Sequence, residues 1–186
     1  MRLLREYIRE LLTESAIDPR IMKMIDRVEN EGMIISLSGG TVELEDASGK
    51  HLGGVDYEKP DWSEGNCYGA IMVSGAWALE GMGPLLYDIA IEASGGLMSD
   101  RTEVSGEAEA VWDRYMNSRP DVRVIQLDIT DEFMEPQLTP DKSDDCGQVP
   151  AYDRHGKQWF KSSLAKKYTK AGTPVMDELR ERGLLA

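Results

Sequence analysis

The sequence predicts an α+β domain in which helices flank a single mixed, mainly antiparallel sheet. The chain opens with helical periodicity, because apolar residues recur three and four positions apart through residues 2–13. Short strand patterns separated by glycine turns follow, and beyond them strand and helix patterns alternate as far as residue 128. Together these patterns give the mixed order of helices and strands that an α+β fold requires.

The composition limits the classes of protein to which the chain can belong. Its 186 residues are 41% apolar and 30% charged, which suits one soluble domain with a sizeable core. No apolar run approaches the roughly 20 residues that a membrane span needs, and charges interrupt the amino terminus more often than a secretory signal allows. The formal net charge of −13 argues against broad electrostatic binding to nucleic acid. We therefore expect neither a membrane nor a nucleic acid among the partners.

Two helices are predicted before the first strand. Residues 1–14 form an amphipathic segment, with arginines and glutamates alternating on the polar side. Within the lead-in of residues 15–32, a second helix is predicted from Pro19 to Asn30, with Asp18 as its N-cap. Gly32 is expected to end this helix, because glycine readily adopts a positive φ.

Residues 33–128 are predicted to form the core of the domain. Three strands in a meander come first, and a loop leads from them to a fourth, largely buried strand. A glycine loop then enters a helix, after which the chain continues as strand, helix and strand. The predicted strands are 33–37, 41–46, 50–57, 67–75, 97–100 and 121–128, and the predicted helices run from the glycine loop to residue 94 and over 105–118.

Regularity fades in residues 129–186, which we interpret as an acidic loop and a carboxy-terminal tail. Seven acids and a single base lie between Asp128 and Cys146, as is typical of a solvated loop. Six lysines and arginines follow between Arg154 and Lys170, and we interpret them as a solvated basic face. A short helix is predicted near the end of the chain, over residues 174–185.

The cysteines and histidines do not indicate a metal centre. Cys67 and Cys146 are far apart in sequence, and with only His51 and His155 available no CxxC or HxxxH spacing occurs. The stretch DKSDDC (141–146) is rich in oxygen ligands but lacks the glycine and glutamate spacing of a calcium loop. We expect no metal, and we expect both thiols to be free in a reducing compartment.

The stretch IMVSGAWALEGMG (71–83) is the candidate binding loop. Backbone N–H groups at a glycine turn before a helix can hold an anion, and the glycines let a pyrophosphate approach closely; the alternative is a tight strand-to-helix turn with no ligand. In the order strand, GxG, helix, strand and helix, residues 33–128 resemble the GNAT acyltransferase superfamily. The family loop Q/R-x-x-G-x-G/A corresponds here to residues 78–83.

The GNAT resemblance implies acetyl-CoA as cofactor and an amine as acceptor. It implies that backbone N–H groups of Gly81, Met82 and Gly83 hold the pyrophosphate of the acyl-CoA. It also implies that N–H groups near Val73 and Ser74 polarise the thioester carbonyl. The amine would then attack this carbonyl between the splayed fourth and fifth strands.

Two residues depart from the family pattern. Ala78 stands where the family has Gln or Arg. SGEAEAVWDR resembles the family helix N-x-x-A-x-x-L-Y-E-K, but Trp112 replaces the tyrosine that reprotonates the CoA thiolate in many members, and an indole N–H cannot act as a general acid. We therefore expect Trp112 to be a core or pocket-wall aromatic. Glu80, Asp100 and Tyr115 are candidates for deprotonating the amine, and no catalytic residue is assigned.

A second resemblance concerns the source of the chain. GPLLYDIAIE, LMSDRTEVSGEAEAVWDRYMNSRPDV and DKSDDC resemble stretches of GNAT-like proteins of tailed bacteriophages. This implies a location in the phage head interior or in the cytoplasm of the bacterial host. Internal head proteins of T-even-type phages begin with a cleavable amphipathic targeting helix, and Leu12-Thr13-Glu14 fits their Leu/Ile-x-Glu cleavage motif. Residues 1–14 are therefore either such a segment or an ordinary first helix docked on the domain.

Two classes of function follow from these resemblances. The order strand, GxG and helix favours an acyl-CoA-dependent N-acetyltransferase that acts on an amine. Ala78, Trp112 and the acidic net charge favour a non-catalytic GNAT-like protein, which serves as an internal head protein of the virion or inhibits a host protein.

Overall fold

The predicted α+β class is confirmed, because helices pack on a mixed, mainly antiparallel sheet of seven strands. The computed structural model describes residues 17–61, 65–130 and 135–186, and the predicted amphipathic segment 1–14 lies outside them. The seven strands are β1 (Ile34–Ser38), β2 (Thr41–Glu45), β3 (His51–Glu58), β4 (Ile71–Ala78), β5 (Leu97–Met98), β6 (Val122–Gln126) and β9 (Lys166–Lys170). Their order in the sheet is β1-β2-β3-β4-β5-β9-β6, with β4 and β5 parallel and the other neighbours antiparallel.

Helices alternate with these strands, and a small second sheet follows β6. The α-helices are α1 (Pro19–Asn30), α2 (Gly83–Ser94), α3 (Gly106–Ser118), α4 (Val149–His155) and α5 (Pro174–Glu181). The second sheet pairs β7 (Asp128–Ile129) with β8 (Asp145–Cys146) in parallel. In the described ranges, no helix combines the length and the apolar character needed to cross a bilayer.

Local sequence signals explain where the helices begin. The Asp18 carboxylate accepts a hydrogen bond from the N–H of Arg20 at 2.7 Å, which caps α1 as predicted. The Ser105 hydroxyl accepts one from the N–H of Ala108 at 3.2 Å and caps α3 in the same way. The apolar stripe of α1 is fully buried through Ile21, Ile25 and Val28.

The predicted meander is confirmed, and the predicted fourth strand begins later than expected. β1, β2 and β3 pair through tight turns and bury one apolar face, which consists of Ile35, Val42, Leu44 and Val55. The segment Cys67–Gly69 is a 3₁₀ turn, and β4 starts only at Ile71. Cys67 and Tyr68 both adopt φ of 51°, a left-handed conformation that does not continue a strand.

The sequence prediction missed the strand β9 and was wrong about two of its lysines. β9 lies between β5 and β6, and its Tyr168 is fully buried. Lys166 is buried, and only 1% of the Lys170 side chain is exposed, so these residues do not belong to a solvated basic face. The ammonium group of Lys170 lies 2.6 Å from Glu92 Oε1 and 3.1 Å from Asp88 Oδ2, which compensates its charge inside the domain.

The expectation of two free thiols is wrong. Cys67 and Cys146 form a disulfide across 79 positions of sequence, with a Cα–Cα distance of 4.7 Å. Both residues are fully buried beside Met98. The bond joins the turn before β4 to β8, and it removes the argument for a reducing compartment.

The prediction of a solvated acidic loop is also wrong where the loop meets the core. Asp128, Asp144 and Asp145 are all buried. The Asp128 carboxylate accepts hydrogen bonds from the N–H groups of Leu138 and Thr139 at 2.8 and 2.6 Å. Asp128 therefore folds the loop back onto the domain, because its side chain satisfies backbone donors. Asp144 and Asp145 accept hydrogen bonds from the side chains of Thr139 and Gln137 in the same loop.

Candidate functional site

The parallel pair of β4 and β5 separates after two residue pairs. Ile71 pairs with Leu97 and Met72 with Met98, and β5 ends there while β4 continues to Ala78. In the described part of the chain, no strand covers this edge of β4 from Val73 onward. The edge therefore offers backbone N–H and C=O groups to a ligand, as an unpaired strand does.

A β-bulge lies on β4 where the two strands separate. Gly75 pairs with Asp56 and Val73 with Tyr57, so Ser74 has no opposite residue on β3. A bulge redirects the backbone and commonly occurs beside active sites. The structure thus places Val73 and Ser74, the two residues predicted to polarise a carbonyl, at the opening of the strand pair.

A pocket, here called the inner pocket, occupies this opening and encloses about 470 Å³ including its mouth. It lies between β4, the segment after β5 and the start of α3. Its lining consists of Val73, Ser74, Gly75, Ala76, Tyr87, Asp100, Glu103, Val104, Ser105, Ala108 and Trp112. Backbone from the β4 edge and two carboxylates therefore face the same space.

A second pocket, here called the outer groove, extends from beside the inner pocket to the glycine loop. It encloses about 760 Å³ including its open side. The two spaces share Ala76, Tyr87, Ser105 and Ala108, so they lie side by side. The remaining lining is Gly54, Val55, Trp77, Ala78, Leu79, Glu80, Gly81, Gly83, Glu107 and Val111. An elongated ligand could therefore run along β4 from Ser74 to the start of α2.

Trp77 forms an apolar wall of the outer groove and is 48% exposed. Its indole lies over Gly54 of the neighbouring strand, where a Cβ would lie 2.8 Å from the ring. Glycine at position 54 is thus the reason that the ring can lie across β3. A partly exposed ring beside a groove is a surface on which an apolar ligand group can pack.

The glycine loop is the turn between β4 and α2, and its residues contribute unequally. Gly81 adopts φ of +83°, and the N–H of Met82 donates to the Leu79 carbonyl at 2.9 Å. The Met82 side chain is fully buried. Gly81 and Gly83 line the outer groove, whereas Met82 anchors the turn from behind.

Arg27 is a neighbour of the loop that sequence reasoning missed. It donates from Nη1 to the carbonyl oxygen of Glu80 at 3.0 Å and from Nε to Glu31 at 2.8 Å. It therefore brings a guanidinium to a loop in which Ala78 has replaced the family's Gln or Arg. No pattern within the loop could have indicated this, because Arg27 lies 53 positions earlier.

The charged residues around the two spaces are all acidic. Asp100 and Glu103 line the inner pocket, and Glu80 and Glu107 line the outer groove. Among the residues that the structure describes, no lysine, arginine or histidine lines either space. The site therefore attracts cations and weakens the binding of a polyanion.

The three candidate bases lie in different places. Asp100 lines the inner pocket, where its Oδ1 accepts hydrogen bonds from the N–H and hydroxyl of Thr102 at 2.6 and 2.7 Å. Glu80 lines the outer groove. Tyr115 is buried and donates to Asp88 at 2.5 Å, and burial raises its pKa well above the ordinary value. Asp100 is the candidate that the geometry places beside the opening of β4 and β5.

Trp112 is a core and pocket-wall aromatic, as predicted. It is 1% exposed and stacks on Tyr168 of β9 with the ring centroids 5.0 Å apart. It also makes a T-shaped contact with Tyr87 of α2, with the ring centroids 5.2 Å apart. Tyr87 lines both the inner pocket and the outer groove. Sequence reasoning missed this residue because it lies within a run of buried residues on α2, where no pattern distinguishes a pocket-lining position from a core position.

Two groups of side chains in the described ranges have the spacing to hold a cation outside this site. The acidic loop brings Asp128, Asp144 and Asp145 together, and the β2–β3 hairpin brings Glu43, Glu45 and His51 together, each with ligand atoms within 4.8 Å. The first group is buried and engaged by N–H and hydroxyl donors, and in the second the imidazole lies between the two carboxylates. Hydrogen bonds and ion pairs account for both groups.

Comparison with known proteins gives no match: no family model, no curated protein and no solved structure corresponds to the chain. The fold and the site define an α+β protein with two adjacent pockets along the open edge of a β-strand. Function must be inferred from these pockets.

Proposed function

We propose that the chain transfers an acyl group from an acyl-CoA thioester, with acetyl-CoA as the donor, to a cationic amine. The observation that carries the proposal is the open, bulged edge of β4. The bulge at Ser74 faces the inner pocket, and the same edge continues along the outer groove to Gly81. This arrangement supports the chemistry that the GNAT resemblance implies, because donor and acceptor would meet where β4 and β5 separate.

The backbone of the outer groove suits an acyl-CoA. Free N–H and C=O groups of β4 can pair with the amides of the pantetheine arm, as an added strand would. The N-terminus of α2 and the glycine at position 81 favour phosphate at the far end of the groove. Glu80 and Glu107 oppose this binding, and Arg27 offsets them in part. We expect the acyl-CoA to bind with modest affinity for this reason.

The inner pocket suits an amine that carries positive charge. Asp100 and Glu103 attract the ammonium group, and Asp100 then accepts the proton that the nitrogen must lose before attack. The nitrogen lone pair forms a bond to the thioester carbonyl carbon, and the bond from that carbon to sulfur breaks. N–H groups near Ser74 polarise the carbonyl oxygen during this step.

The test combines calorimetry and a transfer assay on the full chain. Acetyl-CoA should bind at micromolar to millimolar concentration, and the acetyl group should pass to a linear triamine faster than to an anionic amino acid. Glu107→Gln should tighten acetyl-CoA binding, because it removes a negative charge from the groove. Absence of binding at millimolar acetyl-CoA, or an equal rate with both amines, would refute the proposal.

A matched pair of variants examines the acceptor side. Asp100→Asn should lower kcat/KM for the triamine about tenfold, the effect of losing one charged contact. Asp61→Asn, at an exposed position outside both spaces, should leave it unchanged. Equal effects of the two substitutions would show that overall charge, and not the pocket, governs the rate.

A second candidate function is that of a non-catalytic protein of a phage virion or an inhibitor of a host protein. The buried disulfide favours the virion, because disulfides persist in oxidising surroundings and are rare in a cytoplasm. The acidic lining and Trp112 favour a site without turnover.

Mass spectrometry of purified particles tests this second candidate. The protein should be present in the particle and should start at Ser15 if residues 1–14 are a targeting segment. An intact Met1 in the particle would contradict the cleavage, and absence of the protein would contradict the virion location. Turnover of acetyl-CoA would rule out a non-catalytic role.

A further inference from the structure

The backbone of β4 carries polar groups that point away from β3 and that no strand in the described ranges pairs. Past the end of β4, the N–H of Leu79 donates to the Leu52 carbonyl at 2.7 Å. Backbone groups alternate in direction along an antiparallel ladder, so those of Trp77 face β3 and those of Ala76 and Ala78 face the open side. Two residues, two positions apart, can therefore pair with an added strand.

This edge is accessible to a chain of strand length. Ser74, Ala76, Trp77 and Ala78 are all exposed. β5 ends beside Met72, so the open part of β4 runs over residues 73–78. At about 3.3 Å per residue it extends for roughly 17–20 Å, which is the length of an ordinary strand.

The charges beside the edge select the kind of chain that can occupy it. Asp100 and Glu103 line the inner pocket, and Glu80 and Glu107 line the outer groove. In the part of the chain that the structure describes, no basic side chain lines either space. Lysine or arginine side chains on an added strand would meet this potential, and acidic ones would be repelled.

The hydroxyl of Tyr87 adds a polar contact where the two spaces meet. The residue is 4% exposed, and no described residue forms a hydrogen bond with its hydroxyl. Among the described residues, Nε1 of Trp159 is the fully enclosed polar side-chain atom without a partner, so the Tyr87 hydroxyl retains accessible surface. Since Tyr87 lines both spaces, its oxygen can accept a hydrogen bond from a cationic side chain placed there.

We propose that the open edge of β4 binds an extended basic peptide segment as an added strand, with lysine or arginine side chains directed to the carboxylates of the two spaces. Main-chain hydrogen bonds supply affinity in such complexes, and pockets for the side chains supply specificity. A second copy of the chain is a poor occupant, because each copy has the same four carboxylates at this edge and a net charge of −13. The inference does not depend on acyl transfer, and it names the partner that an inhibitor of a host protein would need.

The first test separates strand addition from attraction between charges. Calorimetry on the full chain measures binding of a capped hexapeptide in which three lysines alternate with three threonines. A linear triamine has the same charge and no peptide backbone, so the hexapeptide should bind about tenfold more tightly. Equal affinities of the two ligands would overturn the proposal.

Two N-methylated forms of the hexapeptide examine the pairing itself. One carries the methyl groups on the lysine nitrogens and the other on the threonine nitrogens. Only every second N–H of an added strand faces β4, so one form should lose about tenfold in affinity and the other should bind like the parent peptide. Equal affinities of the two forms would contradict strand addition.

A proline in β4 tests the same pairing from the side of the protein. Ala76→Pro removes an N–H that points away from β3, so the sheet should form and the hexapeptide should bind at least tenfold more weakly. Ala76→Ser keeps the N–H and should bind like the wild type, and thermal unfolding monitors both variants. Unchanged binding to a folded Ala76→Pro chain would refute the placement on this edge.

A pair of double variants tests the charges without touching the strand. Glu103→Gln with Glu107→Gln should weaken binding of the hexapeptide about tenfold, the effect of losing two exposed ionic contacts. Asp61→Asn with Glu181→Gln removes the same charge at exposed positions outside both spaces and should change the affinity less than about twofold. The same loss in both double variants would show that net charge alone attracts the peptide, against the proposal.

The outcomes keep this inference apart from the proposed function. If the hexapeptide binds as described and acetyl-CoA does not bind, the inference stands and the proposed function fails. If the chain transfers acetyl groups but does not bind the hexapeptide, the inference is refuted and the proposed function stands. If both ligands bind, they should compete, because both are placed on the same edge of β4; simultaneous binding would rule out the strand position.

Discussion

Replacing Lys170 with methionine tests whether a buried ion cluster holds β9 in the sheet. The cluster consists of Lys170 and Arg119 with the carboxylates of Asp88, Glu92 and Asp121, all with side chains 5% exposed or less. Arg119 contacts both oxygens of Asp88 at 2.9 and 2.6 Å, and Lys170 bridges Asp88 and Glu92. Lys170→Met keeps a similar volume but leaves Glu92 without its cation.

The expected loss of unfolding free energy in Lys170→Met follows from the burial of Glu92. Removing one partner of a buried ion pair costs about 3–5 kcal/mol, because the other charge stays buried without compensation. For a chain of this size, we expect the melting temperature to fall by about 10 °C. Lys157→Met is the matched control, because the Lys157 side chain is 74% exposed and its ion pair with Glu135 is long, at 3.4 Å. That control should cost less than about 0.5 kcal/mol.

The loss of folding stability caused by Lys170→Met should depend on pH. Burial raises the pKa of Glu92 despite the opposing effects of Lys170 and the N–H groups of Met176 and Val175. Without Lys170 this pKa rises further above its unfolded value, so the folded variant binds a proton more readily. A group with a raised folded pKa loses its contribution to stability as pH rises through that pKa. The difference from wild type should therefore be largest at about pH 8 and smaller at about pH 5.5.

The assay is urea unfolding at several pH values, with Glu92→Gln as a second substitution in the Lys170→Met background. Removing the unpaired carboxylate should restore about 1–2 kcal/mol. The reasoning is refuted if Lys170→Met is as stable as Lys157→Met, if its loss grows as pH falls, or if Glu92→Gln adds to the loss. In the wild-type chain burial opposes ionisation of Asp88, but Arg119 and Lys170 outweigh it and hold its pKa low. In the Lys170→Met variants, Arg119 still donates to both oxygens of Asp88.

Three further predictions concern the disulfide, the glycine loop and the tryptophans. Reduction should lower the free energy of unfolding by about 4 kcal/mol, because the disulfide spans 79 positions; an unchanged urea midpoint would contradict this. Gly81→Ala should lower the free energy of unfolding by about 1 kcal/mol, because residue 81 has a positive φ. Gly83→Ala should cost less, because a Cβ at position 83 would have its nearest contact at 3.8 Å. Equal losses in thermal unfolding would refute this distinction. Trp112→Ala should cost about 3–5 kcal/mol and the exposed Trp77→Ala about 1 kcal/mol, and the reverse order would contradict their burial.

Helix starts and tight turns were predictable because their causes lie within a few residues. The caps at Asp18 and Ser105 act on N–H groups two and three positions away. The meander follows in the same way from alternating residues and glycine turns. The sequence also placed the glycine loop correctly between β4 and α2, and the acyl-CoA that it is expected to hold stays a prediction.

The lysines of β9 and the cysteines were misjudged because their partners are distant in sequence. The sequence predicts a solvated Lys170, yet the carboxylates that compensate its charge lie 78 and 82 positions away. A strand of the form KKYTK has too little apolar pattern to indicate a place inside a sheet. Cysteine spacing alone likewise cannot show which thiols come within bonding distance.

The amino-acid sequence by itself determined the α+β class, the starts of α1, α2, α3 and α5, the meander and the loop at Gly81, since each follows from local backbone preference and periodic burial. Only the tertiary structure decided that β4 has an open edge, that Tyr87 stands where two pockets meet, and that Arg27 reaches the loop. The physical reason is that a site forms from groups on separate elements, and chain packing alone sets the distances between them.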